Sequence, residues 1–156
     1  MGTHYAGTVE EVMALDVYIK LSRAAESATQ RINGHLQDHN LTMSQFGALE
    51  ALYHLGSLQP SQLAHKVLKS TGNMTLVIDN LQKRGLVTRQ RRADDRRRID
   101  ISLTDKGAAL IEGIFPAHVE GVVKTMSALS IAEQKQLAAL CRRLGRAASG
   151  SAVSSG

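Results

Sequence analysis

Apolar residues along most of this chain recur every three or four positions, the spacing of one face of an α-helix. After Thr8 such positions run from Val17 to Leu36, which predicts a long first helix ending near Asp38, with Asn40 as a left-handed stop. Three capping-box patterns mark further helix starts: Thr8-x-x-Glu11, Thr42-x-x-Gln45 and Ser130-x-x-Glu133.

Three shorter helices are predicted next, over 43–55, over 60–68 with Pro60 at its first position, and from a polar break at 69–71 to Gly85. The first of them should bury Phe46, Leu49, Leu52 and Leu55 and end at Gly56, and the second should bury Leu63, Ala64, Val67 and Leu68. In the third, counting back from Leu81 places Ile78, Val77 and Met74 inward and Asn73, Thr75, Leu76, Asp79 and Asn80 outward. A short helix, a tight turn and a second helix with small polar residues near its start form a helix-turn-helix.

Beyond Gly85 the hydrophobic period changes from 3.6 to 2, which predicts a strand over 86–92. Ile99, Ile101 and Leu103 alternate with polar residues and predict its partner. The connecting segment 93–97 has neither Gly nor Pro, so we expect a projecting loop rather than a two-residue turn. A helix-turn-helix followed by such a hairpin is a winged helix-turn-helix.

Two more helices are predicted after the hairpin. One is capped by Thr104 and runs to about Ser127, with an interruption near Pro116; the other runs from Ser130 to about Ala147. Because a winged helix needs only about the middle third of the chain, their apolar faces require another partner, which the first helix and a second subunit would supply.

The predicted fold is therefore mainly α, a winged helix-turn-helix with a helical dimerisation region formed from both termini. We expect an N-terminal arm (1–7), a dimerisation region (8–41 and 104–148), a DNA-binding domain (42–103) and a disordered tail (149–156).

The positive charge of the chain is concentrated in one segment. Between Lys83 and Arg98, eight cations stand against Asp94 and Asp95, a net +6, whereas the whole chain has a formal charge of +5. The remainder is thus slightly acidic, and the basic excess coincides with the predicted hairpin. Phosphate is the usual target of such a cluster, although a solvated loop remains the alternative.

Composition and sequence pattern argue against several other classes of protein. The 43% hydrophobic and 21% charged content is globular, and neither a membrane-spanning run nor a signal segment is present. With one cysteine, Cys141, no internal disulfide can form, so we expect a cytoplasmic protein in which this thiol is a small structural hydrophobe. No catalytic pattern appears, and we expect neither an enzyme nor a cofactor. His35 and His39 lie four apart, but without a third ligand we expect no metal site.

In its motifs the chain resembles the multiple antibiotic resistance regulator (MarR) family over roughly Val12 to Leu144. Its segment 95–107, DRRRIDISLTDKG, fits the family's D-x-R-x-x-x-[VI] wing signature followed by LTxxG. Supporting matches are LT-x-x-QF at 41–46, QLA at 62–64 and DNL-x-x-RGLV at 79–87.

The resemblance implies a dimeric regulator whose two winged helices bind a palindromic operator, and a small-molecule pocket between the dimerisation and DNA-binding lobes. A repressor is the expected role. A constitutive architectural DNA-binding protein without an effector remains the alternative.

Short polar side chains suit base edges in the major groove, and we assign Ser70, Thr71, Asn73 and Thr75 to that contact, although Ser70 and Thr71 could equally be helix caps. Leu76 stands where family members often have a polar or basic residue, and it offers only apolar contact, for example to a thymine methyl. For the narrow minor groove we choose Arg97, with Asp95 holding its guanidinium or a neighbouring one. The flanking wing arginines Arg96 and Arg98 complete the contact. Lys83, Arg91 and Arg92 are expected to contact phosphates.

The resemblance places the effector pocket where the first, second and fifth helices meet. In this chain we expect His35, Phe46, Tyr53 and His54 there, which suits a small aromatic acid or phenol. Each has an alternative role, since Phe46 is suited to the core and His54 to the surface.

Overall fold

The computed structural model describes residues 2–67 and 71–151, except for the side chains of residues 71, 72 and 151. The helices are α1 (Val9–Asn33), α2 (Met43–Leu55), α3 (Pro60–Val67), α4 (Thr71–Lys83), α5 (Asp105–Met126) and α6 (Ile131–Ser151), and the strands are β1 (Val87–Arg91) and β2 (Ile99–Leu103). This confirms the mainly α prediction with one small hairpin. The chain divides between Val119 and Glu120 into two compact units. No helix in the described part is long and apolar enough to cross a bilayer.

All three predicted capping boxes form. In each, the hydroxyl of Thr8, Thr42 or Ser130 accepts from the backbone N–H three residues on, and the Glu or Gln there accepts from the cap's own N–H. These reciprocal bonds satisfy amides that have no partner within the helix, which explains why the three helix starts were predictable.

The first helix ends earlier than the sequence indicated. Its α-helical part stops at Asn33, and a 3-10 helix covers Gly34–His39 before the left-handed Asn40, whose φ is 52°. The prediction of one α-helix to Asp38 was therefore wrong in its last turn, whereas the stop at Asn40 is confirmed. The tighter 3-10 turn buries Leu36.

Helix α2 has the predicted bounds and ends at Gly56 with a φ of 77°. Its residues Phe46, Leu49 and Leu52 are buried, but Leu55 is 54% exposed, so its assignment to the core was wrong. Leu55 is the last residue of the helix, directly before the C-cap Gly56. The core also contains Leu36, Leu41, Ala48, Leu63, Ala64, Met74, Ile78, Leu81, Leu86, Val87, Ile101, Ile111 and Ile114.

The helix-turn-helix has α3 and α4 as its two helices. Helix α4 begins at Thr71, which was predicted to be the last residue of the break between the two helices. Leu68, Lys69 and Ser70 lie outside the described residues. Helix α4 stops at Lys83, two residues before the predicted end, because Gly85 adopts a left-handed φ of 71°. The N–H groups of Gly85 and Leu86 then bond back to the carbonyls of Gln82 and Leu81, which closes the helix.

The hairpin pairs β1 and β2 in an antiparallel register from Val87 opposite Leu103 to Arg91 opposite Ile99. Each strand matches its prediction to within one residue. On its other side β2 is joined by Leu58, which exchanges two backbone hydrogen bonds with Ile101 at 2.8 and 3.1 Å. The hairpin is thus fixed to the segment between α2 and α3.

Two predictions for the last helices were wrong. Helix α5 runs through Pro116 without interruption; the proline costs the carbonyl of Glu112 its helical partner, but both residues are exposed, so water can replace that bond. Helix α6 extends to Ser151, so residues 149–151 of the predicted disordered tail are helical, and residues 152–156 lie outside the described part. Cys141 is exposed in the single chain, so its own chain does not provide the apolar environment expected for it.

Candidate nucleic-acid interface and aromatic cluster

Helix α4 presents its predicted outward residues to solvent. Asn73, Thr75 and Leu76 are exposed, Leu76 by 63%, while Met74 and Ile78 on the opposite face are buried. The side chain of Thr71 and the whole of Ser70 lie outside the described residues. An exposed helix face with an amide, a hydroxyl and an isopropyl group can offer both polar and apolar contacts to base edges.

Arg89 fixes β1 against this helix. Its guanidinium donates to the carboxylate of Asp79 and to the side-chain oxygen of Gln82, both on α4. The negative charge of Asp79, which was predicted to point outward, is therefore balanced by the guanidinium of Arg89. Arg89 thus links the hairpin directly to α4.

Other cations of the basic segment also have partners within the protein. Arg84 donates to the carbonyls of Asn40 and His39 at 2.8 and 3.1 Å, which ties the end of α4 to the segment before α2. Arg92 forms two hydrogen bonds to Asp94 at 3.0 and 3.1 Å, and these bonds are the first cause of the lowered pKa of the Asp94 carboxyl.

At the hairpin tip Asp95 organises the backbone. Its carboxylate accepts from the backbone N–H of Arg97 at 3.0 Å and lies 3.7 Å from the Nε atom of Arg98. Of the two alternatives predicted for Asp95, its guanidinium contact is thus with the neighbouring Arg98. The side chain of Arg97 remains exposed.

Four cations of the segment have side chains without any hydrogen-bond or ion-pair partner in the described part of the chain: Lys83, Arg91, Arg96 and Arg97. All four are exposed. They are the charges that are free to meet phosphate without first breaking an ion pair.

The LTxxG motif fastens α5 to the end of the helix-turn-helix. The Thr104 hydroxyl donates to the carbonyl of Gly85 at 2.6 Å and accepts from the N–H of Gly107 at 3.0 Å. Lys106 donates to the carbonyl of Arg84 at 2.9 Å. Gly107 is buried against Leu86, whose carbonyl oxygen lies only 2.1 Å from where a Cβ would be.

The four residues predicted for an effector site fall in one cluster of rings. The Nε2 atom of His35 lies 3.2 Å from the Nδ1 atom of His118, and the ring of Phe46 is centred 4.5 Å from His118. Farther along α2, the ring centre of His54 lies 5.1 Å from Tyr53 and 4.9 Å from Phe115.

Sequence reasoning missed the α5 half of this cluster, Phe115 and His118. The sequence signal that could have found them is their spacing of three residues, which places both on one helix face next to the apolar Ile111 and Ile114. Burial lowers the pKa of His118, and His35 lowers it further, while the charge of Glu50 acts in the opposite direction. His35 is half-buried, whereas His39 is exposed. No group of three metal-ligating side chains occurs among the described residues.

The comparisons with known proteins agree on one family. A family model described as the MarR family matches residues 41–99. MhqR, an HTH-type transcriptional regulator of Bacillus subtilis, is 34% identical over 132 residues, which cover 85% of this chain and 91% of MhqR. This chain belongs to the MarR family. As a member of this family, it is a DNA-binding transcriptional regulator and not an enzyme.

Solved structures share the fold. The MarR family regulator Sco3205 from Streptomyces coelicolor, crystallised with DNA, has a TM-score of 0.81 at 22% identity, with 92% of this chain and 91% of that chain covered. NadR in complex with 4-hydroxyphenylacetate has a TM-score of 0.70 at 24% identity, with coverage of 92% and 96%. At these identities the likeness shows the MarR winged-helix fold alone.

Proposed function

We propose that this MarR protein is a cytoplasmic, homodimeric repressor that binds an inverted-repeat operator and leaves it when a small aromatic acid or phenol binds. One observation above all supports the DNA-binding part. The exposed face of α4 and the hairpin with its free arginines are joined through Arg89, which contacts Asp79 and Gln82.

In the proposed complex, α4 lies in the major groove and the hairpin tip in the adjacent minor groove. Asn73, Thr75 and Leu76 contact base edges, with Ser70 and Thr71 still expected beside them. Arg97 enters the minor groove, flanked by Arg96 and Arg98, while Asp95 shapes the tip. Lys83 and Arg91 contact phosphate directly, whereas Arg92 must exchange Asp94 for phosphate.

The proposed dimer uses the predicted regions 8–41 and 104–148, with 42–103 as the DNA-binding domain. Helix α1 exposes Met13, Val17 and Tyr18, and α6 exposes Leu137, Leu140 and Leu144. Apolar side chains in such number on two helices favour burial by a second subunit. A two-fold dimer then presents two recognition helices to half-sites about 10–10.5 bp apart, centre to centre.

The proposed effector site is the ring cluster. Phe115 and Tyr53 supply apolar ring surface, while Phe46 packs against His118 from within the core, and the imidazoles of His35 and His118 supply polar atoms. Aromatic rings with a few polar groups suit a flat aromatic ligand. The ligand would release DNA only by favouring a dimer whose recognition helices no longer match the half-site spacing.

Selection of binding sites from random DNA, followed by footprinting and sedimentation of the purified protein, tests the first part. We expect an inverted repeat and a dimer at micromolar concentration. A single asymmetric half-site, or a monomer, would contradict the proposal.

A panel of salicylate-like and quinol-like compounds tests the second part. A ligand at about 100 times its Kd adds about 2.7 kcal/mol to the free energy of unfolding, which a thermal shift detects. Compounds that stabilise the protein should also weaken its operator complex. Stabilisation without loss of DNA binding would favour the constitutive architectural protein instead.

A further inference from the structure

The contact between His35 and His118 has an unusual property for a ligand site, because both partners are imidazoles. It joins the Nε2 atom of His35 to the Nδ1 atom of His118 at 3.2 Å, between the 3-10 turn and α5. Each ring therefore has one inner nitrogen in the contact and one outer nitrogen, Nδ1 of His35 and Nε2 of His118. Among the described residues neither outer nitrogen has a hydrogen-bond partner.

The proton count of the pair determines what its outer nitrogens offer. When the pair is uncharged, the ring that donates has a bare outer nitrogen, and the ring that accepts has its proton on the outer nitrogen. The pair then presents one donor and one acceptor. One added proton converts the bare outer nitrogen into a second donor and leaves the contact between the rings intact. A second added proton would place N–H groups on both inner nitrogens and break that contact.

Ligands of different chemistry match different proton counts. A carboxylate only accepts hydrogen bonds, so it matches the pair with one added proton, whereas an uncharged phenol both donates and accepts and matches the uncharged pair. The titratable groups around the rings are Glu50, Tyr53 and His54 on α2 and Glu112 on α5. The Tyr53 hydroxyl lies 3.5 Å from the Oε1 atom of Glu112. No lysine or arginine contacts these rings within the described residues. Within one chain, the positive partner of a bound anion therefore has to come from the pair itself.

We propose that the His35–His118 pair takes up one proton from solvent when an aromatic carboxylate binds beside it, so that this effector class is sensed together with pH. The inference rests on the effector site proposed above and adds its ionisation chemistry. Burial already lowers the pKa of His118 in the free protein, which favours its uncharged form. Because the proton is taken up on binding, carboxylate affinity should weaken by up to about tenfold per pH unit above the ordinary histidine range.

Calorimetric titration of the full chain at about pH 7.5 measures this uptake directly. The ligands are 4-hydroxybenzoate and 4-hydroxybenzamide, which share the ring and the phenol but differ in the carboxylate. Each is titrated in phosphate and in Tris, because a proton drawn from the buffer adds that buffer's ionisation heat. We expect roughly half a proton to one proton for the acid and about none for the amide.

Matched variants locate the proton. In the double variant His35→Gln/His118→Gln the uptake should vanish, because neither glutamine titrates and no imidazole of the pair remains. The variant His39→Gln, at an exposed position on the same 3-10 turn, should retain it. Binding of the acid with no dependence on the buffer, or uptake that persists in the double variant, would overturn this inference alone.

Two further outcomes separate this inference from the function beneath it. If neither compound gives binding heat, the effector part of the proposed function fails, and this inference fails with it. If the double glutamine variant does not fold, the pH dependence of ligand affinity in the parent protein still tests the proton uptake. An affinity for 4-hydroxybenzoate that stays constant between about pH 7 and pH 8.5 contradicts proton uptake.

Discussion

Gly107 is a position where the structure predicts a large effect of adding a single methyl group. It lies in the first turn of α5 and is buried, with a Cβ position 2.1 Å from the carbonyl oxygen and 3.0 Å from the carbonyl carbon of Leu86. Those atoms belong to backbone that Thr104 and the end of α4 hold in place. The neighbour that would have to move is therefore not a flexible side chain.

The change Gly107→Ala should lower the free energy of unfolding by about 1–3 kcal/mol or more, the usual cost of overpacking a close-packed site. Gly113 is the matched control, since it lies in the same helix, is exposed and has nothing within 4 Å of its Cβ position. There the same substitution should stabilise by up to about 1 kcal/mol through helix propensity. Urea unfolding of parent and variants at one protein concentration measures both changes.

The two variants should therefore shift the urea midpoint in opposite directions. If Gly107→Ala were as stable as the parent while Gly113→Ala behaved as expected, the close approach of α5 to Leu86 would be wrong. The steric reason for a glycine at the end of the LTxxG motif would then be wrong as well.

Three further predictions concern the charged and titratable groups. Arg97→Ala should weaken operator binding by about 1–3 kcal/mol, and an unchanged affinity by fluorescence anisotropy at moderate salt would remove Arg97 from the interface. Arg91→Ala should weaken binding to all sequences alike and reduce the salt slope by about 0.9; Arg92→Ala should reduce it less, because Asp94 already neutralises that guanidinium, and equal slopes would refute the distinction. Because burial lowers the pKa of His118 below 6.5, the unfolded state takes up its proton first, so stability should fall as pH drops through 6.5. The Tm of His118→Gln should fall less than that of the parent over this range, and parallel curves would contradict the burial of that imidazole.

Elements bounded by side-chain signals were predictable from the sequence. Helix α2 has the predicted first and last residues because Thr42 caps its start and Gly56 ends it. Boundaries without such a signal were less accurate. The 3-10 helix at 34–39 has no sequence signal other than Gly34. Pro116 suggested an interruption of α5, but on an exposed helix face water can replace the hydrogen bond that the proline removes.

The composition of the candidate site was predictable, but its pairing was not. The basic segment could be located by counting charges, yet which arginines are free depends on tertiary contacts. Arg89 reaches back ten residues to Asp79, and Arg84 reaches back more than forty to Asn40. The His35–His118 contact spans 83 residues, a separation at which local periodicity has no information.

In the proposed complex α4 occupies the major groove while Arg97 occupies the adjacent minor groove. Inosine·cytosine pairs test this placement, because they resemble A·T in the minor groove and G·C in the major groove. Each A·T pair of the selected operator is replaced in turn, and the Kd is measured. We predict that replacement at the positions beside the hairpin leaves affinity within about twofold, whereas replacement beneath α4 costs about 1–3 kcal/mol per contacted pair. Loss of affinity at the hairpin positions, with none beneath α4, would contradict the placement of both elements.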